Sequence, residues 1–256
     1  KRSPNSFILG SGKTPQWVVT LSIFATFVSS ISYLALPGSA FATNWNAFVF
    51  SLSIPIAALI TVHYFIPVYR RINSSSAYTY MEQRFGPWAK IYVSICYIFT
   101  QLMRVGTIIY LLALSINMIL GWDITIVIIF TGAFVTIYSI IGGIEAVLWT
   151  DAIQGIILIL GAVFCLAVIV YGMPGGLSQL FEIALKDYKF SLGDFGGSMI
   201  KPTFWVVFLY GIFINLQNFG IDQNYIQRYL VSSSDENAKK SAFYGGVLYL
   251  PMSAVF

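Results

Sequence analysis

Residues 91–120 read IYVSICYIFTQLMRVGTIIYLLALSINMIL, a stretch in which Arg104 is the single charged side chain. About 20 apolar residues are enough for a helix to cross the hydrocarbon core of a bilayer. A charge at that depth costs from roughly 3 to more than 10 kcal/mol, depending on the reference state. Arg104 is therefore expected to face a wet cavity or an anion, and such residues usually mark a function.

The composition of the whole chain is that of a membrane protein. Of 256 residues, 57% are hydrophobic, 17% aromatic and 9% charged, whereas about 25% of a soluble domain is charged. We predict an all-α integral membrane protein, with one transmembrane transporter domain over 1–256. Its seven spans are predicted near 17–37, 47–69, 91–120, 124–141, 152–171, 203–225 and 243–256. Because the chain begins without methionine and stops inside an apolar segment, we expect a longer protein.

The distribution of basic residues predicts the orientation, because Lys and Arg accumulate in cytoplasmic loops. Ten of them fall on one predicted side: Lys1, Arg2, Lys13, Arg70, Arg71, Arg84, Lys90, Arg228, Lys239 and Lys240. Only Lys186, Lys189 and Lys201 fall on the other, so the first span should run from inside to outside. The net charge of +4 is thus explained by topology. No basic stripe with interleaved aromatics favours a nucleic-acid partner.

Polar residues collect at the centres of the first and sixth spans. The first span carries four hydroxyls, at Thr26, Ser29, Ser30 and Ser32. The sixth carries three carboxamides, at Asn215, Gln217 and Asn218. Such centres are typical of locally unwound transporter helices, whose freed backbone groups meet ions and substrate. Serines also occur where helices pack closely, but three carboxamides in hydrocarbon all need partners.

Arg104 belongs to a polar stripe, since Gln101 and Thr107 lie one turn to either side of it. One interpretation is recognition of a carboxylate, which the planar guanidinium meets with two parallel hydrogen bonds. The alternative is a structural arginine that donates to backbone carbonyls of a broken neighbouring helix. Both interpretations place a polar partner within the membrane.

Asp151 lies at the predicted start of the fifth span and also has two interpretations. Its carboxylate is suited to binding a cation or relaying a proton, but Gln154 three residues later fits a helix N-cap equally well. No metal-ligand cluster, nucleophile–base pair or phosphate loop is visible in the sequence, so we predict a protein that is not an enzyme.

Four stretches resemble the sodium/solute symporter family: SIFATFVSSISYLALPGSAF (22–41), SSAYTYMEQRF (75–85), YSIIGGIEAVLWTDAIQG (138–155) and NLQNFGIDQNYIQRYLVSSSDENAKK (215–240). The resemblance covers nearly the whole chain. It implies a core of two inverted five-helix repeats that works by alternating access and couples inward solute movement to sodium. This chain would supply the first repeat and the start of the second.

Within that family the chain is most similar to bacterial sialic acid transporters. The resemblance implies that Ser29, Ser30, Ser32 and Arg104 meet the substrate carboxylate, and that Asn215 faces the solute. Gln101 lies beside Arg104, and Phe27 and Ser51 occupy positions that line the cavity. Phe27 stands where those transporters have a small hydroxyl, Ser51 where they have a glutamine, and Ala47 where they have an aromatic residue. Another acidic sugar or organic acid would satisfy the same arginine.

The resemblance also implies two sodium sites. Main-chain carbonyls of Ala25 and Val28 would contribute to one, and Asp151 would support an additional sodium ion. The expected protein is thus a sodium-coupled symporter in the plasma membrane, in particular a bacterial inner membrane. It would import a small carboxylate-bearing solute such as sialic acid or a related acidic sugar. The alternatives are a symporter for a neutral sugar or another organic acid, and a symporter-like sensor domain fused to a signalling module.

Overall fold

The computed structural model describes residues 4–72, 74 and 76–255, without the side chains of 4–6, 30 and 31. All regular secondary structure in this part of the chain is helical. The first six α-helices are α1 (Pro4–Leu9), α2 (Gln16–Phe27), α3 (Ser30–Ala42), α4 (Phe48–Leu52), α5 (Ile54–Ile60) and α6 (Ile66–Ile72). The others are α7 (Thr79–Phe85), α8 (Pro87–Leu120), α9 (Ile124–Gly172), α10 (Gly176–Lys186), α11 (Phe204–Ile221), α12 (Gln223–Val231), α13 (Asp235–Val247) and α14 (Tyr249–Val255).

The first predicted span is two helices rather than one. α2 ends at Phe27, Val28 has extended backbone angles (φ −81°, ψ 126°), and α3 follows from Ser30. The axes of the two helices differ by 52°. The polar centre of this span is therefore a break in the helix, and the prediction of a locally unwound first span is confirmed.

The sixth predicted span is also interrupted, but not at its carboxamides. α11 continues through Asn215, Gln217 and Asn218 to Ile221, and the break falls at Asp222 (φ −68°, ψ 122°). Asn215 does not need an unwound backbone, because its Nδ2 donates to the Ser53 hydroxyl (2.9 Å). The predicted position of this break is wrong. A carboxamide that binds a partner on a neighbouring helix does not interrupt the backbone hydrogen bonds of its own helix.

The fourth and fifth predicted spans form one helical segment with a kink. α9 has 49 residues, which would extend about 74 Å if straight, far more than a bilayer core of about 30 Å. Gly143 divides it with non-helical angles (φ 64°, ψ −162°). A Cβ at Gly143 would lie 2.9 Å from the Phe7 carbonyl oxygen, so both backbone conformation and close approach require glycine there. Residues 144–151, predicted as a connection, are helical.

The second span is irregular and the last begins early. Between Trp45 and Ile72 a 3₁₀ turn (Trp45–Ala47), α4, α5, a π-helical turn (Thr61–Phe65) and α6 follow one another. α13 begins at Asp235, eight residues before the predicted span at 243, because Ser234 caps it by accepting from the Asn237 N–H (3.1 Å). The last residue of that predicted span, 256, lies outside the described residues.

α2 lies at the centre of the packed region, against α9 and α13. A Cβ at Gly245 of α13 would lie 2.8 Å from the Thr20 carbonyl oxygen, which shows how closely these two helices approach. The core includes six large, fully buried side chains: Ile23, Phe24, Ile54, Phe219, Tyr225 and Tyr229. α8 and α9 instead expose most of their apolar side chains, as expected of surfaces that face lipid.

In the described part of the chain, four helical stretches are long and apolar enough to cross a membrane: Trp45–Ile72, Pro87–Leu120, Ile124–Gly172 and Phe204–Ile221. α2 with α3 makes a fifth if the bent pair is one span. The division into seven spans within one domain stays a prediction. Two shorter helices, α7 and α10, lie in the connections between the long helical stretches.

Candidate functional site

The two helix breaks lie close together in space. Phe27, the last residue of α2, stacks on Phe219 of α11 with ring centroids 5.3 Å apart. It also contacts Tyr225 of α12 (5.8 Å) and Tyr249 of α14 (5.1 Å). Phe219 and Tyr225 flank the interruption at Asp222. The aromatic cluster around Phe27 therefore joins the break in the first span to the break in the sixth.

Polar side chains of α8 bind the carboxylate of Asp222. Arg104 Nη1 lies 3.4 Å from Asp222 Oδ2, and Gln101 Nε2 donates to the same oxygen (3.1 Å). The Tyr97 hydroxyl donates to Oδ1 (3.1 Å), and the Asn224 N–H completes the set (2.8 Å). The Asp222 side chain is 9% exposed, whereas that of Arg104 is 36% exposed. A buried carboxylate is thus satisfied by four donors, one of them from an accessible guanidinium.

This arrangement differs from both interpretations of Arg104 made from the sequence. The partner is neither an external anion nor a backbone carbonyl, but a carboxylate at the interruption of a neighbouring span. Asp222 was not predicted as a site residue, because Asp151 was taken as the one acid at the edge of a span. The signal was present, since Asp222 lies inside the predicted span 203–225 and an acid there carries the same cost as Arg104.

The serines of the first span occupy different environments. Ser32 is buried, accepts from the Ser29 N–H (3.4 Å) and is hydrogen-bonded to the Tyr249 hydroxyl (3.2 Å). Ser29 lines an open cavity of about 520 Å³ between α3, α8 and α9. Ile108, one turn from Arg104 on α8, lines it too, although Arg104 itself does not. The Ser30 side chain lies outside the described residues.

Three other predicted solute contacts lie in packed regions. Ser51 is buried and hydrogen-bonded to the Ser253 hydroxyl (2.7 Å). Asn215 is fully buried against α4 and α5, and its Oδ1 has no hydrogen-bond partner among the described residues. Phe27 is half-buried in the aromatic cluster. The roles of Ser51, Asn215 and Phe27 in solute contact stay predictions.

Tyr225 is a second candidate residue that was not predicted from the sequence. Its side chain is fully buried, and within the described part of the chain its hydroxyl has no hydrogen-bond partner. Arg104 and Asp222 both act on it electrostatically. A buried hydroxyl without a partner costs about 1–3 kcal/mol, and this one lies near a charged pair. Nothing in the sequence distinguishes this tyrosine from the other fifteen.

Asp151 is engaged in a second, tighter ion pair. Its Oδ2 lies 2.6 Å from Arg228 Nη2 and accepts from the Ser22 hydroxyl (2.7 Å). Arg228 Nε in turn donates to Ser22 Oγ (2.7 Å). The three side chains join α9, α12 and α2. Asp151 lies inside α9, so the N-cap interpretation is wrong; the residue caps no helix because α9 begins at Ile124.

The C-terminal end of α2 offers carbonyl oxygens near the breaks. The Val28 N–H donates to the Phe24 carbonyl (3.2 Å), and α2 ends there. The last carbonyls of a helix lack partners in the ladder and lie at the negative end of the helix dipole. Ala25 and Val28 belong to this terminus, where the helix dipole favours a cation. Their role as sodium ligands stays a prediction.

Interrupted membrane helices that meet at a polar centre are characteristic of secondary transporters. The chain belongs to the sodium:solute symporter family, whose model matches residues 7–255. It is 33% identical over 243 residues to the sodium/sialic acid symporter SiaT of Proteus mirabilis (strain HI4320), covering 94% of this chain and 49% of that protein. It is 28% identical over 261 residues to the sodium-coupled monocarboxylate transporter 2 of Bos taurus, covering 100% of this chain and 42% of that protein.

The fold is also that of a solved transporter. The structure of a Na⁺-coupled sialic acid symporter in a substrate-bound, outward-open state matches with a TM-score of 0.94 and 29% identity. The match covers 100% of this chain and 54% of that one. The predicted fold class, the first repeat and the start of the second in an inverted five-plus-five helix core, is confirmed. So is the prediction that the chain is not an enzyme. The chain spans about half the length of the relatives it matches.

Proposed function

We propose that the protein is a sodium-coupled symporter that imports a small carboxylate-bearing solute by alternating access. Sialic acid or a related acidic sugar is the proposed solute, and the plasma membrane, specifically a bacterial inner membrane, is the proposed location. The observation that carries this proposal is the accessible guanidinium of Arg104, held beside the break at Asp222 by one loose contact. The names of the Proteus and bovine relatives support it, since both describe acidic solutes.

Arg104 is suited to a carboxylate by its geometry. Charge-assisted N–H···O hydrogen bonds are usually about 2.7–2.9 Å long, whereas its contact with Asp222 is 3.4 Å. The fork of a guanidinium therefore retains donors for a second carboxylate. Hydroxyls of Ser29, Ser30 and Ser32 are proposed to meet the same group, with Gln101, Asn215, Phe27 and Ser51 nearer the remainder of the solute.

Sodium is proposed as the co-transported ion rather than a cofactor. The carbonyls of Ala25 and Val28 would contribute to one site at the end of α2, where bound sodium would hold the break in the geometry that receives the solute. Asp151 is proposed to support an additional sodium ion. Its carboxylate is already paired with Arg228, so that sodium ion would have to share the carboxylate with the guanidinium or displace it.

The test is uptake of labelled N-acetylneuraminic acid into proteoliposomes that contain the full-length protein. We expect uptake that requires an inward sodium gradient and is lost in Arg104→Ala, because Arg104 is the cation proposed to bind the solute carboxylate. Arg104→Lys keeps the charge without the planar fork and should retain a small part of the activity. An Arg104→Ala variant that is folded and still transports the acid would contradict the proposal, as would uptake that is independent of sodium.

A small monocarboxylate is the second candidate solute. The match to the bovine relative covers 100% of this chain. The resemblance to sialic acid transporters places Ala47 and Ser51 where those proteins have larger residues, and this difference does not by itself favour a sugar over a smaller acid. Competition of unlabelled lactate against labelled N-acetylneuraminic acid separates the two. Inhibition by lactate at a lower concentration than by the unlabelled sugar acid would favour the monocarboxylate.

A further inference from the structure

Asp222 does not depend on Arg104 for its own hydrogen bonds. Oδ1 accepts from the Tyr97 hydroxyl (3.1 Å) and from the Asn224 N–H (2.8 Å). Oδ2 accepts from Gln101 (3.1 Å), and the Arg104 contact is the longest of the four at 3.4 Å. The carboxylate would therefore remain solvated by the protein if the guanidinium turned away. Arg104 is the partner that is able to move.

Arg104, in contrast, has few partners and is partly exposed. Among the described residues, Asp222 is its one ion-pair partner, and over a third of its side chain is exposed. A guanidinium has five N–H donors in a fixed fork. A solute carboxylate that took two of them in parallel would form a closer and stronger pair than the one present.

The charge balance of this pair bears on what the site accepts. Arg104 and Asp222 together carry no net charge, so a solute anion arriving at Arg104 would make the site negative. Because Asp222 is buried, its repulsion of a second carboxylate is only weakly screened. A bound sodium ion near the end of α2 would restore neutrality. The anion and the cation would then stabilise each other through Asp222.

We propose that Asp222 is a specificity-determining residue of the Arg104 site: it is a resident carboxylate that holds Arg104 when no solute is bound and disfavours an anionic solute until sodium is present. This rests on the proposed function, because it concerns the same solute site. It adds the residue that would make anion binding depend on the cation. Asp222 is a positioning and selecting group here, and the solute itself is held by Arg104.

The test compares wild type with Asp222→Asn in the full-length protein, by equilibrium binding of N-acetylneuraminic acid in sodium chloride and in choline chloride of equal strength. Asparagine removes the charge but keeps the size and the N-cap of α12. We expect the affinity for the acid in choline to rise at least tenfold, and the ratio of affinities in sodium and choline to fall. The uncharged methyl ester should change less than threefold, because the gain is electrostatic.

Asp123→Asn is the matched control. Asp123 caps α9 by accepting from the Ile126 N–H (3.0 Å) and lies on an exposed turn away from the site. Its replacement makes the same chemical change at another helix N-terminus, and should leave both affinities unchanged. Asp222→Ser, a second uncharged N-cap residue, should reproduce the effect of Asp222→Asn.

Several results would overturn the inference. One is wild-type binding of the acid with no gain in either Asp222 variant; another is an equal gain for the ester, which would point to space rather than charge. Loss of the folded state in both variants would assign Asp222 a purely structural role. If wild type and variants bind neither the acid nor lactate in sodium, the proposed function fails and this inference with it.

Discussion

In the described part of the chain, two ion pairs each include a side chain that is only 9% exposed, and they differ in closeness. Arg228 and Asp151 are 2.6 Å apart and share the Ser22 hydroxyl, whereas Arg104 and Asp222 are 3.4 Å apart. A close, hydrogen-bonded pair holds its helices in place, because removing one partner leaves a buried charge uncompensated. A loose pair with an accessible guanidinium is able to exchange partners. The first pair therefore suits a structural or gating contact and the second a binding site.

Tyr225→Phe separates a structural tyrosine from one that meets the solute. Because the hydroxyl is buried without a partner in the described part of the chain, its removal should leave the melting temperature unchanged or raise it. If the hydroxyl bonds to the solute, affinity should fall by about two- to tenfold, the worth of one hydrogen bond. Thermal unfolding and solute binding measure the two effects. Tyr249→Phe is the contrasting change, since that hydroxyl is bonded to Ser32. A stable Tyr225→Phe protein with wild-type affinity would assign the hydroxyl no role in binding.

α12 is held at the break by contacts from several other helices. Arg228 ties it to α2 and α9, and Arg70 of α6 donates to the Tyr229 carbonyl (2.8 Å) and pairs with Asp235. On the other side of the break, Tyr69 of α6 donates to the Gly220 carbonyl of α11 (2.8 Å). These contacts fix α12 to α2, α6 and α9, and a movement of α12 relative to α9 would have to break the Asp151–Arg228 pair.

Asp151→Ala should destabilise the protein by about 3–5 kcal/mol, because it leaves the Arg228 guanidinium buried without a counter-ion. Thermal unfolding in detergent measures the loss. Asp151→Leu combined with Arg228→Met should recover part of it, since no unpaired charge remains. Glu236→Gln removes an exposed partner of Lys240 and should cause no measurable change.

The same variants examine the proposed additional sodium site. If Asp151 serves only the pair with Arg228, stabilisation by sodium should be the same in the double variant as in wild type. A double variant that is stable but has lost part of its stabilisation by sodium would support Asp151 as a sodium ligand. An Asp151→Ala protein as stable as wild type would contradict the structural importance of the pair.

The molecule as a whole should show positive coupling between sodium and solute. Both are proposed to bind where the breaks meet, so each would favour the same arrangement of α2, α3 and α12. A coupling free energy of about 1–3 kcal/mol is typical of linked sites. We expect N-acetylneuraminic acid to raise the melting temperature of the full-length protein more in sodium than in potassium at equal ionic strength. Equal shifts in the two salts would contradict the coupling, and the methyl ester is the uncharged control.

The sequence by itself determined the class of the molecule and part of the site. In apolar runs long enough to cross a bilayer, the backbone N–H and C=O groups need partners within the segment, and a helix provides them. Composition and length therefore predicted an all-α membrane protein. Arg104 was identified by the cost of a charge in such a run, and the hydroxyls of the first span marked the break at Val28. These are local properties, since each depends on a few consecutive residues and the solvent around them.

Only the tertiary structure decided which groups are partners. The pairing of Arg104 with Asp222 joins residues 118 positions apart, and that of Asp151 with Arg228 joins residues 77 positions apart. The helical state of 144–151 and the position of the second break likewise depend on neighbours: Phe7 lies against Gly143, and Ser53 binds Asn215. The sequence shows which side chains are costly to bury. The packing of the helices determines which partner offsets that cost.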